Sequence, residues 1–227
     1  MESVKNYYEA YDERYKQVHE KSLKWFADSP SKIVEDVLNK YHVSKAAKAL
    51  EIGCGEGRDA IHLLNQNYNV LATDISPAAI EFCKAAFPAF ANSFRVLDCL
   101  SQTCEERFDF IYAIAVLHML VMDEHRKSFY EFIHAQLAEG GIALICTMGD
   151  GKDEWQSNID TAFDLQERTH NATGMILKIA GTSCRMVSFD TFHRELKENG
   201  FQTLESGTTA IIPDFPTIMY AVVKNSL

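Results

Sequence analysis

Leu50-Glu51-Ile52-Gly53-Cys54-Gly55-Glu56-Gly57-Arg58 is the stretch on which the fold is decided. Glycines at alternate positions after an apolar run let the chain turn tightly into a helix and let a ligand lie against bare backbone. The dinucleotide fingerprint G-x-G-x-x-G/A needs a small residue at the position that Arg58 holds here. Glu51, just before the first glycine, would also set a like charge against an incoming pyrophosphate. An acid at that point suits a ligand with a positive centre.

Outward from this turn, short apolar runs alternate with amphipathic stretches. The runs are Ala46–Ile52, Asn69–Thr73, Phe94–Leu97, Phe108–Val116 and Gly141–Met148. Helical spacing falls between them at Arg58–Asn67, Pro77–Phe87 and Glu124–Leu137. Strands separated by helices of this length predict a parallel sheet with right-handed crossovers. A further helix is expected over Phe189–Asn199, closed by Gly200. The last two strands, Gln202–Ile212 and Thr217–Lys224, are joined only by residues 213–216, too short a link for a parallel crossover, so that pair is expected to be antiparallel.

Before the sheet, the first 45 residues read as helix. Tyr7, Tyr11, Tyr15 and Val18, then Leu23, Trp25 and Phe26, recur at near-helical spacing. A second helix is expected after Asp28, with Ser29 or Ser31 capping Ile33–Leu38.

Carboxylates stand at the ends of the next two strands. Asp74 closes the second, where it can accept hydrogen bonds from both hydroxyls of a ribose. Asp98 closes the third, placed for an adenine amino group, with the Cys99 amide facing a ring nitrogen. Any one of these is an ordinary loop acid. Three acids on three successive strand ends beside a glycine turn are not a coincidence.

These residues carry a family resemblance. Glu51–Gly57 with Asp74 and Asp98 resembles the class I S-adenosylmethionine-dependent methyltransferase superfamily, over about residues 46–148 and again in the terminal hairpin. The resemblance implies an α/β fold: a Rossmann-like, doubly wound seven-stranded sheet, six strands parallel and the last antiparallel. It implies a lid of N-terminal helices over residues 1–45 and a methyltransferase domain over 46–227. S-adenosylmethionine, with its ammonium and sulfonium, is the implied cofactor, and S-adenosylhomocysteine the product. The implied contacts are Tyr15, Glu51, Gly53, Gly55, Gly57, Asp74, Ile75, Asp98, Cys99 and Ala113. The run Gly53–Arg58, followed by Ala60–Leu64 and Asn69–Asp74, is more narrowly similar to the tellurite-resistance and thiopurine-type branch, whose acceptors tend to be soft nucleophiles.

The segment after the fourth strand, Ala113-Ile114-Ala115-Val116-Leu117-His118, faces the methyl group in this fold. His118 is therefore the candidate to orient or deprotonate the acceptor; the bland alternative is a histidine hydrogen-bonded in the turn. The Asp/Asn-Pro-Pro-aromatic motif of nucleobase amino-methyltransferases and the Pro-Cys pair of cytosine C5 enzymes are both missing. Tyr15, in Tyr11-Asp12-Glu13-Arg14-Tyr15, resembles the aromatic lid over the methionine end of the cofactor. Residues 149–187 form a long insertion at the carboxyl end of the sheet, where substrate pockets are usually built, with Trp155 and Arg185 as acceptor contacts. Arg185 suits a carboxylate clamp or a surface salt bridge.

Bulk properties narrow the class. A chain of 227 residues with 47% hydrophobic content fits one domain. With 32 acidic against 22 basic residues the net charge is −10, which disfavours nucleic acid and anionic membrane as partners. The six cysteines form no CxxC pair, and the N-terminus opens on charged and polar residues. Both point to a reduced, cytoplasmic protein. The expectation is methyl transfer to a small thiol, amine or hydroxyl acceptor by a monomer or homodimer, without a metal. The other readings are a cofactor-binding sensor without turnover and a nicotinamide or nucleotide-sugar enzyme.

Overall fold

The computed structural model describes residues 5–210, 212, 215 and 217–226. Strands β1 (Lys48–Ile52), β2 (Asn69–Asp74), β3 (Phe94–Val96), β4 (Phe108–Ile114) and β5 (Leu137–Met148) come first. Four short strands follow within the insertion: β6 (Trp155–Gln156), β7 (Leu165–Thr169), β8 (Ile176–Ala180) and β9 (Arg185–Met186). The chain closes with β10 (Phe201–Thr209) and β11 (Ile218–Asn225). Its helices are α1 (Ala10–His19), α2 (Lys32–Lys40), α3 (Arg58–Asn65), α4 (Pro77–Ala86), α5 (Asp123–Gln136) and α6 (Phe189–Glu198).

The main sheet has seven strands in the order β10-β11-β5-β4-β1-β2-β3. Six run parallel, and β11 alone is antiparallel to its neighbours β5 and β10. Successive side chains of a strand point to opposite faces, and β4 shows why its run had to be apolar throughout. Ile111 and Ala113 enter the core beneath α5 and α6, while Phe110, Tyr112 and Ile114 enter the core beneath α2, α3 and α4. The glycine turn lies at the carboxyl end of β1, beside the ends of β2 and β4, where an open parallel sheet binds its ligands.

Two readings of the N-terminal segment need correction. Helix α1 ends at His19, and Leu23, Trp25 and Phe26 lie in irregular chain beyond Ser22, whose φ is +57°. The amides of Trp25 and Phe26 donate to the Glu56 carboxylate at 2.8 and 3.0 Å, which a helical path would forbid. Ser31 does stand at the N-cap of α2, yet its hydroxyl donates to Asp59 Oδ2 at 2.9 Å and does not cap. Gly200, with φ +81°, closes α6 as expected. The link between the last strands lies partly outside the described residues, at 211, 213, 214 and 216.

The insertion folds into a ribbon of β6 with β9 and a hairpin of β7 with β8. Helix α1 sits between this insertion and the main sheet. Val18 of α1 packs with Leu177 and Ile179 of β8, and Gln17 accepts the Ala180 amide at 2.7 Å.

Candidate active site

Three glycines shape the turn, all with positive φ, and at two of them an added Cβ would also collide with a neighbouring side chain. Gly53 has φ +73°, and a Cβ there would lie 2.4 Å from Val116 Cγ2. Gly55 has φ +51°, and a Cβ there would lie 2.5 Å from Tyr15 Oη. Bare backbone thus meets the Tyr15 ring, and the floor and roof of the cleft are in contact. The amides of Gly53 and Cys54 both donate to Thr73 O, tying the turn to the end of β2.

Asp74 completes that end. Its Oδ2 accepts the Gly55 amide and its Oδ1 the Ser76 amide, both at 2.8 Å. Burial pushes the carboxyl up to about 6, against the pull of the Ser76 and Gly55 amides and with a further push from Asp12. Glu51 is buried as well and accepts the Tyr112 hydroxyl at 3.1 Å. Burial, then the neighbouring Asp59, holds its carboxyl well above the usual range. Asp98 accepts from the Leu100 amide at 2.9 Å and the Ser101 hydroxyl at 2.7 Å.

One cleft brings most of the expected contacts together. Tyr15, Glu51, Gly53, Gly55, Asp74, Ile75, Asp98 and Cys99 all line it. Gly57 stands just behind, as the left-handed residue from which α3 starts. Ala113 does not reach the cleft: it is fully buried in β4 and faces the core under α5. Ala115, two residues on, lines the cleft in its place, on a backbone turned to φ +57°.

A second cavity adjoins the first and shares Tyr11, Phe26, Met119 and Phe215 with it. His118 and Trp155 line this second space. His118 is buried, its Nδ1 has no hydrogen-bond partner, and its ring meets Phe215 edge-on at 6.2 Å. Burial, then the charges of Arg126 and Arg14, pull its imidazole down to about 3. Trp155 is 54% exposed at the cavity mouth. Arg185 lies outside both cavities, donating to Val121 O at 2.7 Å and to the Asp123 carboxylate at 2.6 Å. Of its two sequence readings, the salt bridge is the one formed.

Three acids that sequence reasoning did not single out hold the N-terminal segment down. Asp12 of α1 accepts from the Ser76 hydroxyl at 2.6 Å and the Ala78 amide at 3.1 Å, at the amino end of α4. Asp59 takes the backbone and side chain of Ser31. Glu56, 3% exposed, takes His19 Nε2 at 2.9 Å besides the two amides of residues 25 and 26. The visible signal for Glu56 was a carboxylate between two glycines at a helix start, where the helix dipole favours it.

Residues 50–143 match the family model described as a methyltransferase domain. Trans-aconitate 2-methyltransferase of Methylobacterium nodulans is 30% identical over 132 residues, 57% of this chain and 48% of that protein. The chain spans between about a third and a half of the length of the curated relatives it matches. Among solved structures, 1,6-didemethyltoxoflavin-N1-methyltransferase of Burkholderia thailandensis superposes with a TM-score of 0.70 at 16% identity, covering 100% of this chain and 93% of that one. The CcbJ methyltransferase of Streptomyces caelestis gives 0.69 at 15% identity, covering 95% and 99%. At such identities the two structures speak for the fold, and the family model speaks for the segment that carries the glycine turn. The seven-stranded sheet with its glycine turn is the fold of these solved methyltransferases, and residues 50–143 of the chain match a methyltransferase domain.

Proposed function

We propose that this chain transfers a methyl group from S-adenosylmethionine to a small-molecule acceptor. The observation that carries the reading is the Asp74 carboxylate on the end of β2, beside the bare backbone of Gly55 and beneath Tyr15. The cofactor fits these residues: Asp74 would supply the ribose acceptors, Asp98 and the Cys99 amide the adenine contacts, and Glu51 an acceptor for the ammonium, whose charge favours the ionised carboxyl that burial disfavours. The Burkholderia structure holds S-adenosylhomocysteine with 1,6-didemethyltoxoflavin, which supports both the cofactor and the size of acceptor. When bound, S-adenosylmethionine supplies a sulfonium-activated methyl carbon, to which the acceptor's lone pair bonds in line while the C–S electron pair returns to sulfur.

The protein's part is alignment and exclusion of water. Of residues 1–45, the described stretch 5–31 acts as the lid, pinned to the sheet through Asp12, Glu56 and Asp59 and to the insertion through Arg14 and Gln17, while α2 packs into the core of the sheet. His118 orients the acceptor as a neutral imidazole and does not deprotonate it, since a group held near 3 is too weak a base at neutral pH. His118→Ala is therefore expected to lower kcat by about tenfold with the shape of the pH profile retained; a general base would contribute ~10²–10⁴ and add an acid limb. A loss above a hundredfold, together with the disappearance of such a limb, would contradict the orienting role. Release of S-adenosylhomocysteine with thiol, amine, hydroxyl and carboxylate acceptors tests the reaction itself. A protein that binds the cofactor and turns over none of them is a sensor.

A further inference from the structure

The second cavity carries a charge opposite to that of the molecule. The chain has a net charge of −10, yet among the described residues of this wall there is no Asp or Glu, while Arg14 and Arg168 both belong to it. Arg14 is 8% exposed. Its Nε and Nη2 donate to Ala180 O, Gly181 O and Thr182 Oγ1 at 2.8–3.1 Å, all neutral oxygens. The rings of Tyr11 and Trp25 lie 5.3 and 5.0 Å from the guanidinium carbon. Arg168, on the exposed hairpin, donates to the neutral Gln166 Oε1 at 2.7 Å. A guanidinium taken out of water without a carboxylate leaves a positive field in the space it faces.

We infer that the acceptor enters this cavity as an anion of the carboxylate class, with Arg168 at its mouth and Arg14 in its wall drawing the negative charge inward. The inference rests on the methyl-transfer reading above and narrows it. The unpartnered, buried Nδ1 of His118 at the inner end supplies the polar group that fixes the rest of the acceptor. No group on the wall is suited to take a proton at neutral pH: burial raises Tyr11 and Cys184 and lowers His118. An acceptor anchored through its carboxylate, whose separate nucleophile is a neutral amine or a partly ionised thiol and so needs no protein base, matches that chemistry. Arg168 acts as a specificity-determining residue, since its partner Gln166 is neutral and its place at the mouth leaves its charge for the ligand.

Matched acid and amide pairs test this: 4-hydroxybenzoate and its amide, 4-aminobenzoate and its amide, 3-mercaptobenzoate and its amide. Binding is read by calorimetry with and without S-adenosylhomocysteine, and turnover by S-adenosylhomocysteine release. At least one acid is expected to bind about tenfold or more tighter than its amide, as a charge-assisted pair with Arg would give. Arg168→Gln should remove that preference, Arg168→Lys should keep part of it, and S-adenosylmethionine affinity should stay within about twofold, because Arg168 lies outside the cofactor cleft. Amides that bind as well as acids, a preference that survives Arg168→Gln, or acids that fail to bind would each overturn the inference. Failure of S-adenosylmethionine to bind overturns the methyl-transfer reading instead, and the calorimetry without S-adenosylhomocysteine still decides the anion site.

Discussion

Deleting the first ~20 residues, about the length of a globular helix, is expected to abolish turnover and to weaken S-adenosylmethionine binding while the sheet stays folded. The lost segment carries Tyr15, which roofs the glycine turn, and Tyr11 and Arg14, which wall the second cavity. It also carries the Asp12 contacts to α4 and the His19 contact to Glu56. Without them both cavities open to water, and in-line displacement loses the alignment on which most of its acceleration depends. Tyr7 and Tyr8 go too, and both are buried in the core, so circular dichroism must accompany the assay. Asp12→Ala offers a milder cut, because it frees α1 at one anchor and leaves those tyrosines in place; a smaller fall in kcat/KM is expected. A truncated protein with full activity would refute the lid.

Asp74→Ala is expected to lower S-adenosylmethionine affinity by at least about tenfold, since two charge-assisted hydrogen bonds to the ribose are each worth ~1.5–3 kcal/mol. The same carboxylate predicts the pH dependence of binding. Burial pushes it up to about 6, and only its charged form presents a full set of acceptors to two hydroxyls. Affinity should therefore fall as pH drops through that value, by about tenfold between about pH 8 and about pH 5. Asp74→Asn should bind more weakly than the unsubstituted protein and lose this dependence. An unchanged affinity in the alanine variant, or a pH profile that survives in the asparagine variant, would show that Asp74 is not the ribose acid.

The parallel core was readable because burial on both faces forces unbroken apolar strands. Phe110-Ile111-Tyr112-Ala113-Ile114 cannot be amphipathic when alternate side chains enter two different cores. The carboxylates of the cleft were readable for the same reason, as charged residues placed where such strands end. Which neighbour faces the ligand was not. Ala113 and Ala115 differ only by the left-handed turn at Ala115, which no local residue preference announces. The helical spacing of Leu23, Trp25 and Phe26 was overridden by Glu56, which lies about thirty residues away in the chain and draws two of their amides out of any helix. Arg185 and Asp123, 62 residues apart, show the same limit for ion pairs. In the insertion, β6 and β9 are two residues each and β7 is mostly exposed, so no apolar period marks them.

The cleft formed by the glycine turn, Asp74 and Asp98 is expected to bind S-adenosylmethionine. Isothermal titration of this chain with S-adenosylmethionine, S-adenosylhomocysteine and NAD tests it most directly. Saturable one-to-one binding of the first two with no heat from NAD is the expected result; NAD binding with no response to S-adenosylmethionine would contradict the account.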